Sequence, residues 1–301
     1  MIKDVKAAIS DLLSEKSLWP RMLLEDYLTV ALDLRQCSLM TIPAELPDAD
    51  SLSRRIDEKC IPDFKGVTQE KDPQNRMRMI RIVKDKLRKA YLEEIKSSPS
   101  YRSHIFWVKR LGLEVFEVEV RPTVREHFVH KQKETKNRIE FLTRKREEFR
   151  EEFLKHVDRS IPRSIAAYPE ERFPEYLNQI GELLGYPKCC VGAYIEGRAE
   201  GSPTAEQRAA TQIADVKVQG LEPDIYAYFS RDFIPCSPMC SNASTIGKEI
   251  HQAFSGLSDR LSQVYGQCLK GNIETVGSYP QRIQAHKMKI EGRSRKLGIS
   301  E

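Results

Sequence analysis

No run of about eighteen apolar residues occurs in the 301-residue chain, so no transmembrane helix is expected. The opening stretch, MIKDVKAAISDLLSEKSLW, mixes acids and bases through an amphipathic pattern. A secretory signal would instead join a basic start to an uninterrupted apolar core, so the chain reads as cytoplasmic, with no membrane partner. G-x-x-x-x-G-K-[ST] is missing, and no strand leads into G-x-G-x-x-G, which removes two phosphate-cradling signatures. G-x-S-x-G and H-E-x-x-H are also absent, and with them the nucleophile elbow and the zincin helix. No repeat of solenoid period is visible. Neither sign of charge is in large excess: 49 Lys+Arg against 44 Asp+Glu leave +5, which permits an acidic partner without demanding one. With 40% hydrophobic and 31% charged residues, the composition is that of a globular protein with a polar surface, one large domain or two modest ones.

What the chain does have is cysteine, seven in all, unevenly spread. Cys37, Cys60 and Cys268 read as packing residues, since a free cysteine behaves as a small hydrophobe. The other four fall in two short motifs, GYPKCC at 185–190 and PCSPMC at 235–240. Without a secretion signal, such clustering favours metal binding or thiol chemistry over structural disulfides.

The helical pattern explains how the thiols are presented. Phe173–Leu184 reads as a short helix, and Gly185 suits its left-handed C-terminal cap. Pro187 then fits the first position of a new helix, which puts Cys189 and Cys190 in its opening turn. Pro238 is read in the same way, as the start of a long helix with Cys240 in its first turn and Cys236 just before the cap. Free N–H groups and the positive end of the dipole favour thiolate at both places. Thiolate is the form that binds metal or attacks electrophiles. The spacing leaves the ligand set open. Cys236 and Cys240 are separated by three residues rather than two. Cys189 and Cys190, about 100° apart on a helix, need not both reach one ion. Three cysteines with a histidine remain an alternative. His251, eleven residues after Cys240, is a poor candidate, and His156 is uncommitted. A radical-type C-x-x-x-C-x-x-C pattern fails because Ala243 stands at its third position.

Leu184, Gly185, Tyr186, Pro187, Cys189 and Cys190, followed by Pro235, Cys236, Ser237 and Cys240, resemble the paired motifs of the prokaryotic domain-of-unknown-function family numbered 483. The resemblance covers roughly residues 170–270. It implies that both motifs belong to one site, and it imports no activity.

The expected fold is mainly α with a small β element. The domain reading is an N-terminal helical region (1–100), a β-hairpin with a long charged linker helix (101–160), a cysteine-motif domain (161–280) and a basic tail (281–301). Within it, 41–73 reads as loops and 76–97 as a helix. Residues 103–108 and 113–120 read as the two strands, and the linker helix as running from Thr123 to about Val157. On that helix His127 and His130 are expected to be solvated. The helix opened by Pro238 is expected to end at Gly271 and Asn272.

The leading functional expectation is a metal-binding protein with Cys189, Cys190, Cys236 and Cys240 as ligands to zinc or an iron–sulfur cluster, and with the reaction open. Tyr186, Tyr194, Arg198, Arg231 and Asp232, close in sequence to the motifs, are pocket candidates. One alternative is an RNA-binding or RNA-modification accessory protein. It would use the basic helix 76–96, through Arg78, Arg81, Lys84, Arg88 and Lys89, together with the basic tail. The other is a metal-free thiol enzyme.

Overall fold

The computed structural model describes residues 2–155, 168–199, 204–285 and 287–288. It is mainly helical with one three-stranded antiparallel sheet, the expected class. Helix α1 (Ile2–Ser14) leads to a π-helical segment, Met22–Leu28, that runs into the short α2 (Thr29–Ala31). Then come β1 (Cys37–Ile42), α3 (Ala49–Gln69), α4 (Pro73–Ala90), a second π-helical turn at Tyr91–Ile95, and α5 (Pro99–Arg110). Strands β2 (Glu114–Arg121) and β3 (Val124–His130) form a hairpin before α6 (Lys133–Lys155). The C-terminal half contains α7 (Pro174–Leu183), α8 (Lys188–Ala199), α9 (Ala205–Val218), a 3₁₀ turn at Ile225–Tyr228, α10 (Ser241–Ser255) and α11 (Asp259–Gly277).

Four expectations are corrected. Of residues 41–73, 43–48 and 70–72 are turns and loop, but Ala49–Gln69 is helix α3: Leu52, Ile56 and Cys60 recur at four-residue steps and are its buried stripe, and it tolerates Pro62 inside it. Residues 103–108 are helical rather than a strand. Ser98 caps α5, its hydroxyl accepting from Tyr101 N at 3.2 Å, and Pro99 takes the first turn. Those start signals outweigh the aromatic and β-branched residues that follow. Residues 124–130 are strand β3, so α6 begins only at Lys133; its expected end near Val157 lies outside the described residues. The single helix read from Pro238 to Gly271 is two, α10 and α11, broken around Gly256–Ser258.

The sheet has the order β1-β3-β2, with His127 opposite both Met40 and Glu117. His127 and His130 are therefore buried, not solvated. His127 belongs to a relay. The Tyr27 hydroxyl lies 2.6 Å from His104 Nδ1, His104 Nε2 lies 2.9 Å from His127 Nδ1, and His127 Nε2 faces Glu117 Oε2 at 3.2 Å. The contacts of Glu117 with His127, and then Lys96, overcome its partial burial and hold its carboxyl at about 2. Burial pushes His104 down to about 3. With Glu117 ionised and His104 neutral, donation can run from the Tyr27 hydroxyl to His104 Nδ1 and from His104 Nε2–H to His127 Nδ1, with His127 Nε2 in contact with the carboxylate.

The larger hydrophobic core joins the two ends of the sequence. It includes Leu12, Met22, Tyr27 and Trp107 together with Cys190, Cys240, Phe254 and Leu269. Gly247 shows how tightly α10 seats on the 3₁₀ turn: a Cβ there would lie 2.1 Å from the Tyr226 carbonyl oxygen. No described helix is long and apolar enough to cross a membrane.

Candidate metal centre

Helix α7 ends in a turn that its sequence dictates. Gly185 adopts φ +75°. Its N–H donates to Glu182 O at 3.1 Å and the next N–H, of Tyr186, to Gly181 O at 2.8 Å. These are the two bonds of a Schellman cap, which satisfy carbonyls the helix would otherwise leave open. The chain then reverses, and Val191 of α8 packs directly over Gly181, where any side chain would collide with it. The reversal places Cys189 and Cys190 in the first turn of α8. From the other motif, Cys240 is itself the N-cap of α10 (φ −61°, ψ 110°) rather than a residue of its first turn. Cys236 lies in the loop before it, on the far side of the turn closed by Cys240 N and Ser237 O at 3.1 Å.

These segments converge. The Sγ atoms of Cys189, Cys190, Cys236 and Cys240 all lie within 4.8 Å of one another. Cys189 and Cys190 Sγ are 3.8 Å apart, Cys189 and Cys240 3.8 Å, and Cys190 and Cys240 3.6 Å. The adjacent pair thus reaches one point despite the angle between them. Neighbouring Cα atoms are themselves about 3.8 Å apart, so two side chains leaving side by side can serve neighbouring corners of one site. Cys190 and Cys240 are buried, Cys236 is half-buried and Cys189 is exposed.

Donors surround the sulfurs. Cys236 N donates to Cys190 Sγ at 3.4 Å and Asn242 Nδ2 to Cys189 Sγ at 3.3 Å. The starts of α8 and α10 add the positive ends of two helix dipoles. Burial opposes ionisation of Cys189, but the bonds from Asn242 and the neighbouring thiols outweigh it and its pKa falls. Burial raises Cys190, and raises Cys236 to about 11. Four soft ligands at one point could hold a metal ion. Asn242 was not anticipated from sequence, although it stands only two residues after Cys240.

The remaining predicted residues divide between two regions. Tyr194 donates to Glu171 Oε1 at 3.0 Å, and Arg198 contacts both, tying α8 to the 3₁₀ turn at Pro169–Arg172. Tyr186 packs at a tilt against Phe233, with ring centroids 4.9 Å apart, and its ring lies 5.9 Å from the guanidinium of Arg35. Arg231 and Asp232 lie beside Phe233 in the loop that leads to Cys236. On α4, Arg78, Arg81, Lys84, Arg88 and Lys89 are all exposed. Arg88 is paired with Glu119 and Asp85, and Lys89 with Glu93. Most of the basic tail lies outside the described residues, as does His156. The ring of His251 packs against Tyr226 and Tyr265, away from the sulfurs.

Residues 117–264 match the model of the family described as protein of unknown function (DUF483). The match contains both cysteine motifs and bears out the resemblance they carry. It also begins earlier than the motifs suggest, taking in much of the β2–β3 hairpin and all of α6. No curated protein and no solved structure matches the chain.

Proposed function

We propose that Cys189, Cys190, Cys236 and Cys240 bind a single zinc ion in a closed, structural site. The observation that carries this reading is the spacing of the sulfurs. Zinc–thiolate bonds are about 2.3 Å, so sulfurs at the corners of a tetrahedral zinc site stand about 3.8 Å apart. The Sγ pairs among Cys189, Cys190 and Cys240 are separated by 3.6, 3.8 and 3.8 Å, and Cys236 Sγ lies within 4.8 Å of all three. An iron–sulfur cluster spreads its thiolates over several iron atoms, which requires wider separations than these.

Four protein ligands leave no coordination position for water, so the role is structural. The ion would bind the start of α8, the 229–240 loop and the cap of α10 together at the edge of the larger core. The hydrogen bonds from Cys236 N and Asn242 would offset part of the thiolate charge.

Cobalt substitution tests the reading. Apoprotein titrated with cobalt(II) should take up one equivalent and develop the intense visible bands of tetrahedral thiolate coordination. Zinc should then displace the cobalt and bleach the colour. Weak absorption typical of octahedral oxygen coordination, or no uptake, would refute it.

A further inference from the structure

An open cavity of about 580 Å³ lies where the entry to the π-helical segment meets one face of α11, and none of the four clustered cysteines lines it. Its volume is in the range of small-molecule sites, about 300–1,000 Å³. Trp19, Pro20 and Arg21 form one wall. Trp19 is held there by its carbonyl, which accepts from Met22 N at 3.0 Å and Leu23 N at 3.4 Å. Its side chain is 42% exposed, against 2% for Trp107, the other tryptophan of the chain. The opposite wall is the row Val264, Cys268, Gly271 and Thr275, which follow at three- and four-residue steps and so share one face of α11. At Gly271 that wall has a gap, because a Cβ there would meet nothing within 4 Å.

Arg21 brings the cavity its positive charge. Its Nε is buried with no hydrogen-bond partner. Among the described residues no hydrogen bond or ion pair reaches any part of its guanidinium, which lies 5.3 Å from the centre of the Trp19 ring. Burial disfavours the charge, yet an arginine stays protonated in a protein. The nearby groups that could satisfy it are engaged elsewhere. Glu25 accepts from Asn272 Nδ2 at 2.9 Å and from Arg231 N at 2.8 Å. Asn272, which also lines the cavity, gives its other amide hydrogen to Tyr228 O at 3.0 Å. A surface arginine keeps all its N–H groups in water. Arg21 has lost water at Nε, and no bond within the protein replaces it.

The group that completes such a site is a planar anion able to accept from two N–H groups of one guanidinium at once, which describes a carboxylate. A doubly charged phosphate fits less well. Arg21 is the one cation among the lining residues, Glu274 lines the cavity too, and the carbonyl end of α11 adds negative potential near 275–278. A single positive charge balances a single negative one. Trp19, Pro20, Val264 and the gap at Gly271 offer apolar contact to the rest of the ligand.

We propose that this cavity binds a small monocarboxylate with an apolar body, the carboxylate held by Arg21 and the body lying against Trp19 over Gly271. The site stands whether or not the cysteines hold a metal.

Isothermal titration calorimetry on the full chain tests this, with hexanoate, phenylacetate and indole-3-acetate as probes. At least one should bind saturably, with a Kd of about 1 mM or tighter. Its primary amide should bind at least about tenfold more weakly, the loss expected for one charge-assisted contact. Arg21→Gln should weaken the carboxylate to a similar degree. It should leave the thermal unfolding midpoint of the unliganded protein unchanged or raised, since it removes a charge that no protein group pairs. Gly271→Leu places its side chain in open space, so that variant should fold and lose binding. Four results would each overturn the proposal: no saturable binding by any probe; an amide or phenyl phosphate that binds as tightly as the carboxylate; full affinity in Arg21→Gln or in Gly271→Leu; or a clearly lower midpoint in Arg21→Gln, which would give the guanidinium a role in the fold instead.

Discussion

The Tyr27–His104–His127–Glu117 relay makes a prediction in which two substitutions do less harm than one. His104→Phe keeps an aromatic ring in a fully buried position but removes both nitrogens. The Tyr27 hydroxyl, bonded at 2.6 Å, loses its acceptor, and His127 Nδ1, at 2.9 Å, loses its donor. A buried polar group left unsatisfied costs about 1–3 kcal/mol, so the single variant should lose about 2–6 kcal/mol. Any strain from the larger ring adds to this. In Tyr27→Phe/His104→Phe the first orphan no longer exists and the ring strain is unchanged. The double variant should therefore be more stable than His104→Phe by about 1–3 kcal/mol. Urea unfolding of the wild type, both single variants and the double variant, with a common m-value, measures the difference. Where His104→Phe does not fold at all, the double variant should still give a cooperative transition. A double variant less stable than His104→Phe would refute the relay.

The same groups set a pH dependence. Unfolded His104 takes up a proton below about 6.5, whereas the buried ring resists protonation down to about 3, so stability should fall as the pH drops from 6.5 towards 3. Glu117, held at about 2, adds to that loss below pH 4.5, and stability against pH in the His104→Phe variant should lack the part above 4.5. Glu25 acts in the other direction: burial raises it to about 7, so its proton is retained in the fold and stability should decline as the pH rises from 4.5 to 7. Glu25→Gln should remove that decline, seen as a slope smaller by up to about 1.4 kcal/mol per pH unit. Gly247→Ala should cost at least about 3 kcal/mol by urea unfolding, since its new Cβ meets the backbone oxygen of Tyr226 rather than a movable side chain.

The cysteine site was legible because its signals are local. A glycine where the chain must turn left-handed, a proline that opens a helix and adjacent cysteines behind it need only a few residues to be read. The start of α10 was misjudged because Ser-Pro is a good helix opening in either frame; the turn from Ser237 to Cys240 decides that Cys240 caps the helix. The strand around His127 was hidden by its charged neighbours, which suit a solvated helix equally well. Its pairing partners, Met40 and Glu117, come from different parts of the chain. Arg231, Asp232 and Tyr186 were singled out by their closeness to the cysteines, whereas the buried acids Glu25, Asp26 and Glu45 were passed over. One signal was available: Glu25-Asp26 interrupts an otherwise apolar run, MLLEDYLTVAL, on a segment whose stripe marks it as buried. A helix of regular period would turn such a pair outward, and the π-helical winding keeps both inside.

Metal content measured on protein purified without oxygen tests the central claim most directly, with the Cys236→Ser/Cys240→Ser variant alongside. The account predicts colourless protein with about one zinc per chain, absent from the variant. Iron with acid-labile sulfide and a broad brown absorbance, or no bound metal in the wild-type protein, would contradict it.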